Sequence, residues 1–361
     1  MNRRTFLHRL GAAAALVPAL PDATGWRGAA AGVGARTKHW VWLHSDFKTL
    51  DDWKRALARM RAAGIDAVLI GGGADFYRGH IPAAAEEGIE VHAWTFTMMR
   101  GGMEREHPEW YAVSRTGVST AEKPPYVDYY KFLCPAREPV QRHLRAHIRD
   151  LAGIEGLGSI HLDYIRYPDV ILPIALWPKY GLVQDREYPE FDFCYCSACR
   201  ERFARQTGID PLRLHDPPAN EAWVQYRYDS ITYMVSLLFD EARAHGRPLT
   251  AAVFPTPAIA RRLVRQDWTR WKVDAVFPMV YHSFYKEDVA WIGRATREGV
   301  AALGGRIPLY SGLYVPDLPP RELARAAALA LDAGANGVSL FEGRTLTQEH
   351  WRALTSVIKR S

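Results

Sequence analysis

The stretch "SIHLDYIRYP" (residues 159–168) passes from apolar to ionisable within a few positions: Ile160 and Leu162 give way to Asp163, Tyr164 and Arg166. A carboxylate at the end of a buried strand is costly unless it is paired or hydrogen-bonded. Arg166 and Tyr164 offer a positive charge and a hydrogen bond, and each lowers a carboxylate pKa. Held ionised in this way, Asp163 suits a nucleophile, a base or a stabiliser of developing positive charge. The competing reading is a buried Asp163–Arg166 ion pair that pins the loop. A second carboxyl group, Glu342 in "SLFEG", also ends an apolar run. Leu340 and Phe341 beside it can raise its pKa into the range of a proton donor; its alternative is a bridge to Arg344. Asp46 in "LHSD" is the rival acid, or a ligand for hydroxyl groups.

The four cysteines make a second constellation, Cys134 and then Cys194, Cys196 and Cys199 in "CYCSAC". An even number permits two disulfides in an exported protein. The C-x-C-x-x-C spacing is cramped for two bridges and suits three thiolates around one tetrahedral ion, with Cys134 as the fourth ligand. Such a zinc would be structural, because four protein ligands leave no open position for water. Outside the cysteines no His/Asp cluster has ligand spacing, and no G-x-S-x-G elbow is present, so neither a catalytic metal nor an organic cofactor is expected.

The elements that must position these groups read as eight βα units. Apolar runs at 39–46, 65–73, 89–97, 157–165, 248–257, 273–283, 306–314 and 336–343 alternate with helical patterns. The pattern predicts a (β/α)₈ barrel over residues 38–361, with residues 168–218 as an inserted zinc-binding lobe after strand four. A doubly wound sheet is disfavoured because no Gly-rich phosphate loop follows the first strand. In such barrels the chemistry sits at the C-terminal strand ends. That rule gathers Asp46, His92, Trp94, Asp163, Tyr164, Arg166, Tyr281, His282, Tyr310 and Glu342 at one rim. Tyr281 and His282 emerge beyond Pro278 as hydrogen-bond donors to hydroxyl groups, and Trp94 offers a flat stacking surface.

The chain has 361 residues, with 12 tryptophans and 17 tyrosines, a surplus that favours a ligand with stackable faces such as a carbohydrate. "MNRRTFLHRLGAAAALVPALPDATG" has the order of a twin-arginine export signal, with a cut after Ala23 as one candidate, followed by a linker at 24–37. Its apolar run is too short for a membrane span, so a periplasmic or secreted protein without membrane attachment is expected. Removing residues 1–23 takes the formal charge from +6 to +4. The remaining basic residues form no stripe, which argues against nucleic acid.

Two resemblances add to this reading. "FLCPAREPVQRHLRAHI" followed by "CYCSACRERFARQTGID" resembles the family 42 β-galactosidases, whose barrel carries a four-cysteine zinc cluster in this order. Their catalytic dyad does not carry over. The strand-four glutamate of that family follows an asparagine, where this chain reads His161-Leu162-Asp163, and its strand-seven glutamate is replaced by "LYSGLYVPD". "HPEWYAVSRTG", "IHLDYIRYP" and "DAVFPMVYHS" are similar to the family 10-like bacterial glycosyl hydrolases, over about residues 40–345. The resemblance implies a sugar-active barrel. Glycosidases pair two carboxyl groups, so Asp163 and Glu342 become the expected catalytic pair of a secreted glycoside hydrolase acting on an oligo- or polysaccharide. A carbohydrate-binding barrel without catalysis, a polysaccharide lyase using Tyr281 or His282, and a deacetylase are the alternatives.

Overall fold

The computed structural model describes residues 37–359, so the expected export signal and nearly all of the 24–37 linker lie outside the described residues. Strand β1 (Trp40–Leu43) leads to α1 (Leu50–Ala63), β2 (Ala67–Ile70) to α2 (Ala74–Glu86), and β3 (Glu90–Phe96) to α3 (Glu138–Ala152). Strand β4 (Ile160–Asp163) precedes the cysteine-bearing segment, which holds α4 (Ser197–Thr207), and then α5 (Glu221–Ala244). The alternation continues with β5 (Leu249–Val253), α6 (Pro257–Val264), β6 (Ala275–Pro278) and α7 (Val289–Leu303). It ends with β7 (Ser311–Tyr314), α8 (Pro320–Asp332), β8 (Val338–Phe341) and α9 (Gln348–Ile358).

All strand pairs are parallel, in the order β6-β5-β4-β3-β2-β1-β8-β7. The β6/β7 seam is joined by backbone hydrogen bonds from Val276 to Pro308 (3.1 Å), Tyr310 to Val276 (3.0 Å) and Val280 to Gly312 (3.0 Å). The fold is the (β/α)₈ barrel. Helix boundaries follow local chemistry. The Thr49 hydroxyl accepts the Asp52 N–H at the start of α1, and Gly64 ends that helix at φ +93°, a left-handed position suited to glycine.

The strands are shorter than the apolar runs that mark them: residues 39–46 yield only Trp40–Leu43. Strand stagger in a closed barrel leaves each strand flanked on both sides over a short overlap, and the rest of each run builds the rim.

Side chains alternate across the barrel wall. Val41, Val68, Val91, Leu162, Val253 and Leu340 face the helices, while Trp40, Trp42, Leu69, Trp94, Ala252 and Phe277 fill the interior. His161 is wedged between Trp42 and Phe277, each ring centroid 4.7 Å away. Its Nδ1 shares a hydrogen bond with Thr250 Oγ1 at 2.8 Å. Burial pushes His161 well below its ordinary pKa, so it stays neutral. The interior is a packed plug, and the wall of the site rests on it.

Candidate active site

A cavity of about 440 Å³ opens at the C-terminal strand ends. Asp163, the last residue of β4, faces into it. One carboxylate oxygen accepts the Trp94 indole N–H at 3.0 Å, and the other accepts the Tyr164 backbone N–H at 2.6 Å. Its backbone is held too: the Asp163 carbonyl accepts from Thr97 N–H at 3.0 Å and Thr97 Oγ1 at 2.7 Å. Tyr164 then turns the chain at φ +51°, an uncommon conformation for a non-glycine residue. Strand β4 thus delivers the carboxyl group, and the tail of β3 fixes it.

Burial raises the pKa of Asp163, outweighing the two hydrogen bonds and the more distant Arg166. This reverses the expectation from sequence that its neighbours hold it ionised. The reason is the identity of Arg166's partner. The guanidinium pairs with Asp169 at 2.8 Å, donates to the Tyr130 hydroxyl at 2.7 Å and caps the Tyr167 carbonyl at 3.0 Å. Tyr130 in turn donates to Asp169. Neither an Asp163–Arg166 pair nor direct support of Asp163 by Arg166 is present. Arg166 and Asp169 instead brace one wall of the cavity, with the guanidinium 4.9 Å above the Tyr164 ring.

The opposite wall is aromatic. Phe341 stacks with Tyr281 (5.9 Å, 27°) and with Tyr314 (6.2 Å, 18°). Burial, followed by the Asp163 charge, pushes the Tyr281 phenol well above its usual pKa, so it remains a hydroxyl donor. Trp94 lines the cavity but is spent on Asp163 and stands edge-on to Trp42 (5.2 Å, 90°).

Several expected site residues lie elsewhere. His92 shares Trp94's face but sits one pleat lower, about 7 Å along the strand. There it is buried against Trp40 at 4.7 Å, bonded to Ser159 at 2.5 Å and Glu90 at 3.0 Å. Tyr310 is also in the floor, packed on Trp40 and Phe277 at 5.0 and 4.9 Å; Tyr314, four residues on, is the β7 residue that reaches the cavity. His282 falls in the turn after β6, off the cavity lining and in the field of Asp317, Asp288 and Glu322; burial lowers its pKa. Asp46 is exposed and pairs with Arg344 on the outer rim.

Glu342 does not line the cavity, and its side chain contacts neither Arg344 nor Asp163. It hydrogen-bonds His44 Nε2 at 2.9 Å. His44 does line the cavity, and sequence reasoning missed it, although the inward parity of Trp40 and Trp42 carries directly to it. Asp169 was missed as well; its i,i+3 spacing from Arg166 in "RYPD" was the available signal.

Cys134, which precedes α3, meets Cys194, Cys196 and Cys199 at the start of α4. All four are buried free thiols with sulfurs within 4.8 Å of one another. Cys134 Sγ lies 3.4 Å from Cys196 Sγ and 3.5 Å from Cys199 Sγ. Four sulfurs about 2.3 Å from a tetrahedral zinc would stand about 3.8 Å apart. The donor set and spacing fit that ion, and they contain no disulfide.

No family model and no curated protein matches the chain. Solved structures share its fold at low identity. The PgaB (BpsB) glycoside hydrolase domain from Bordetella bronchiseptica aligns with a TM-score of 0.67 at 13% identity, covering 89% of this chain and 99% of that one. The catalytic domain of β-amylase from Paenibacillus polymyxa aligns at 0.63 and 12%, covering 91% and 99%. A β-galactosidase from the psychrophilic Marinomonas ef1 aligns at 0.60 and 13%, covering 89% of this chain and 59% of that chain, so the present chain spans about three fifths of its length. The barrel is similar to those on which these glycoside hydrolases are built.

Proposed function

We propose that the protein is a glycoside hydrolase in which Asp163 protonates the departing glycosidic oxygen. One observation carries the reading: a buried carboxyl group of raised pKa, fixed by Trp94 and Tyr164, faces an aromatic-walled cavity at the catalytic end of the barrel. A proton donor is helped by a pKa raised toward the working pH, and burial acts in that direction at Asp163. The stacked Tyr281, Phe341 and Tyr314 rings offer apolar faces to a sugar, while the Tyr281 hydroxyl offers it a hydrogen bond. The substrate is an oligo- or polysaccharide, and the protein acts after export to the periplasm or beyond. The cysteine cluster holds a structural zinc that ties the chain before α3 to the lobe after β4.

The test compares wild type with Asp163→Asn on a poor leaving group, an oligosaccharide, and on good ones, a panel of 2,4-dinitrophenyl glycosides. Asn keeps the shape and accepts the Trp94 N–H but carries no acidic proton. Oligosaccharide turnover should fall by about a hundredfold or more, with dinitrophenyl turnover spared. Equal activity of both proteins on the oligosaccharide would rule the assignment out.

A further inference from the structure

We propose that His44 is the base that activates water opposite Asp163, and that Glu342 is the residue that positions it. The inference rests on the hydrolase reading above and assigns the second half of its chemistry. Hydrolysis of a glycosidic bond needs a group that accepts a proton, or attacks the sugar, on the side away from the acid. Among the described residues only two carboxyl groups line the cavity, Asp163 and Asp169. Asp169 is occupied by Arg166 and Tyr130. Where the stacked rings of Phe341 and Tyr314 stand, strands β7 and β8 present no acid to the cavity.

His44 fills that gap. It continues the inward face of β1 past Trp40 and Trp42, lines the same cavity as Asp163, and keeps almost half of its side chain exposed to solvent. Trp94 touches both groups: its N–H binds Asp163 at 3.0 Å, and its ring centroid lies 5.5 Å from that of His44. Glu342 reaches His44 from the end of β8 with a 2.9 Å hydrogen bond to Nε2. A carboxylate on one ring nitrogen fixes the proton there and leaves the other nitrogen, Nδ1, as the acceptor.

The step balances without a further reactant. Nδ1 of His44 takes a proton from water as the water oxygen bonds to the anomeric carbon. The glycosidic C–O bond breaks, and its electron pair stays on the leaving oxygen, which takes the Asp163 proton. Imidazolium and carboxylate then return to their starting states by exchange with solvent. A single displacement by water inverts the anomeric configuration.

The experiment uses wild-type protein, His44→Ala, His44→Gln and Glu342→Gln on whichever 2,4-dinitrophenyl glycoside the wild type cleaves, with product configuration followed by proton NMR. His44 is solvent-facing, so the variants should fold, and thermal melting checks this. We expect both His44 variants to lose about a hundredfold or more in kcat with little change in KM. Glu342→Gln should lose about tenfold, since Gln retains an acceptor for the ring N–H. Azide should rescue His44→Ala, forming a glycosyl azide of inverted configuration, which a merely structural role would not allow. Retention of configuration by wild type, or His44→Ala within twofold of wild type, overturns the base assignment and leaves the hydrolase reading standing. Wild type that cleaves neither the oligosaccharide nor any of these glycosides overturns both.

Discussion

At the scale of single residues, the fold favours the protonated form of the site's acid and resists its ionised form. The folded pKa of Asp163 is raised by burial, so the native state holds that proton more tightly than the unfolded one. Stability is therefore lost as pH climbs from the ordinary carboxylate value of 3.8 through the folded pKa. Asp163→Asn should raise the melting temperature at neutral pH, and the gain should fade in acid; a melt series over pH that shows no such convergence would refute the burial argument. Arg166→Lys should act oppositely. A point charge does not reproduce the planar fork that holds Asp169, Tyr130 and the Tyr167 carbonyl together, so stability should fall, by less than the roughly 3–5 kcal/mol that outright loss of one partner of a buried pair costs; denaturant unfolding of the variant measures the loss. Asp163 was legible in sequence because it interrupts an apolar run. The Arg166–Asp169 pairing was not, because spacing shows which residues can meet and leaves open which of two nearby carboxylates wins the guanidinium.

At the scale of elements, β1 to β8 and their helices were legible because each apolar run is bounded by its own stop signal, such as Gly64 after α1. Height along the strand was not. His92 and Trp94 have the same parity, yet one is floor and the other wall, and only the register of β3 on β4, with Trp94 opposite His161 and Phe96 opposite Asp163, sets the level. Tyr310 was misplaced for the same reason. The cysteine cluster joins two segments that the barrel's own ladder does not join, Cys134 ahead of α3 and Cys194 to Cys199 at α4. Elemental analysis should find one zinc per chain. Chelation or Cys199→Ser should lower the melting temperature, because binding energy at such a site is folding energy. A metal-free protein melting at the same temperature would remove zinc from the account.

At the scale of the whole molecule, burial pushes six of the described histidines toward the neutral form. His39 and His147 are each lowered to about 4, and His92, His143, His161 and His282 are lowered as well. The unfolded chain takes up protons at these positions below about 6.5 more readily than the fold does. Stability should accordingly hold above that pH and drop as pH falls toward 4, with up to six protons bound on unfolding; equilibrium unfolding between pH 7 and 4 measures the slope. One of the six, His161, belongs to the plug that Trp40, Trp42 and Phe277 make across the barrel. That plug turns the cavity into a cul-de-sac. A substrate enters and both of its fragments leave by the same mouth, so whichever fragment lies deeper must wait for the outer one to clear. Traffic of this kind makes the inner fragment a competitor for the next substrate, and turnover slowed by accumulated product is the kinetic signature a dead-end barrel should leave.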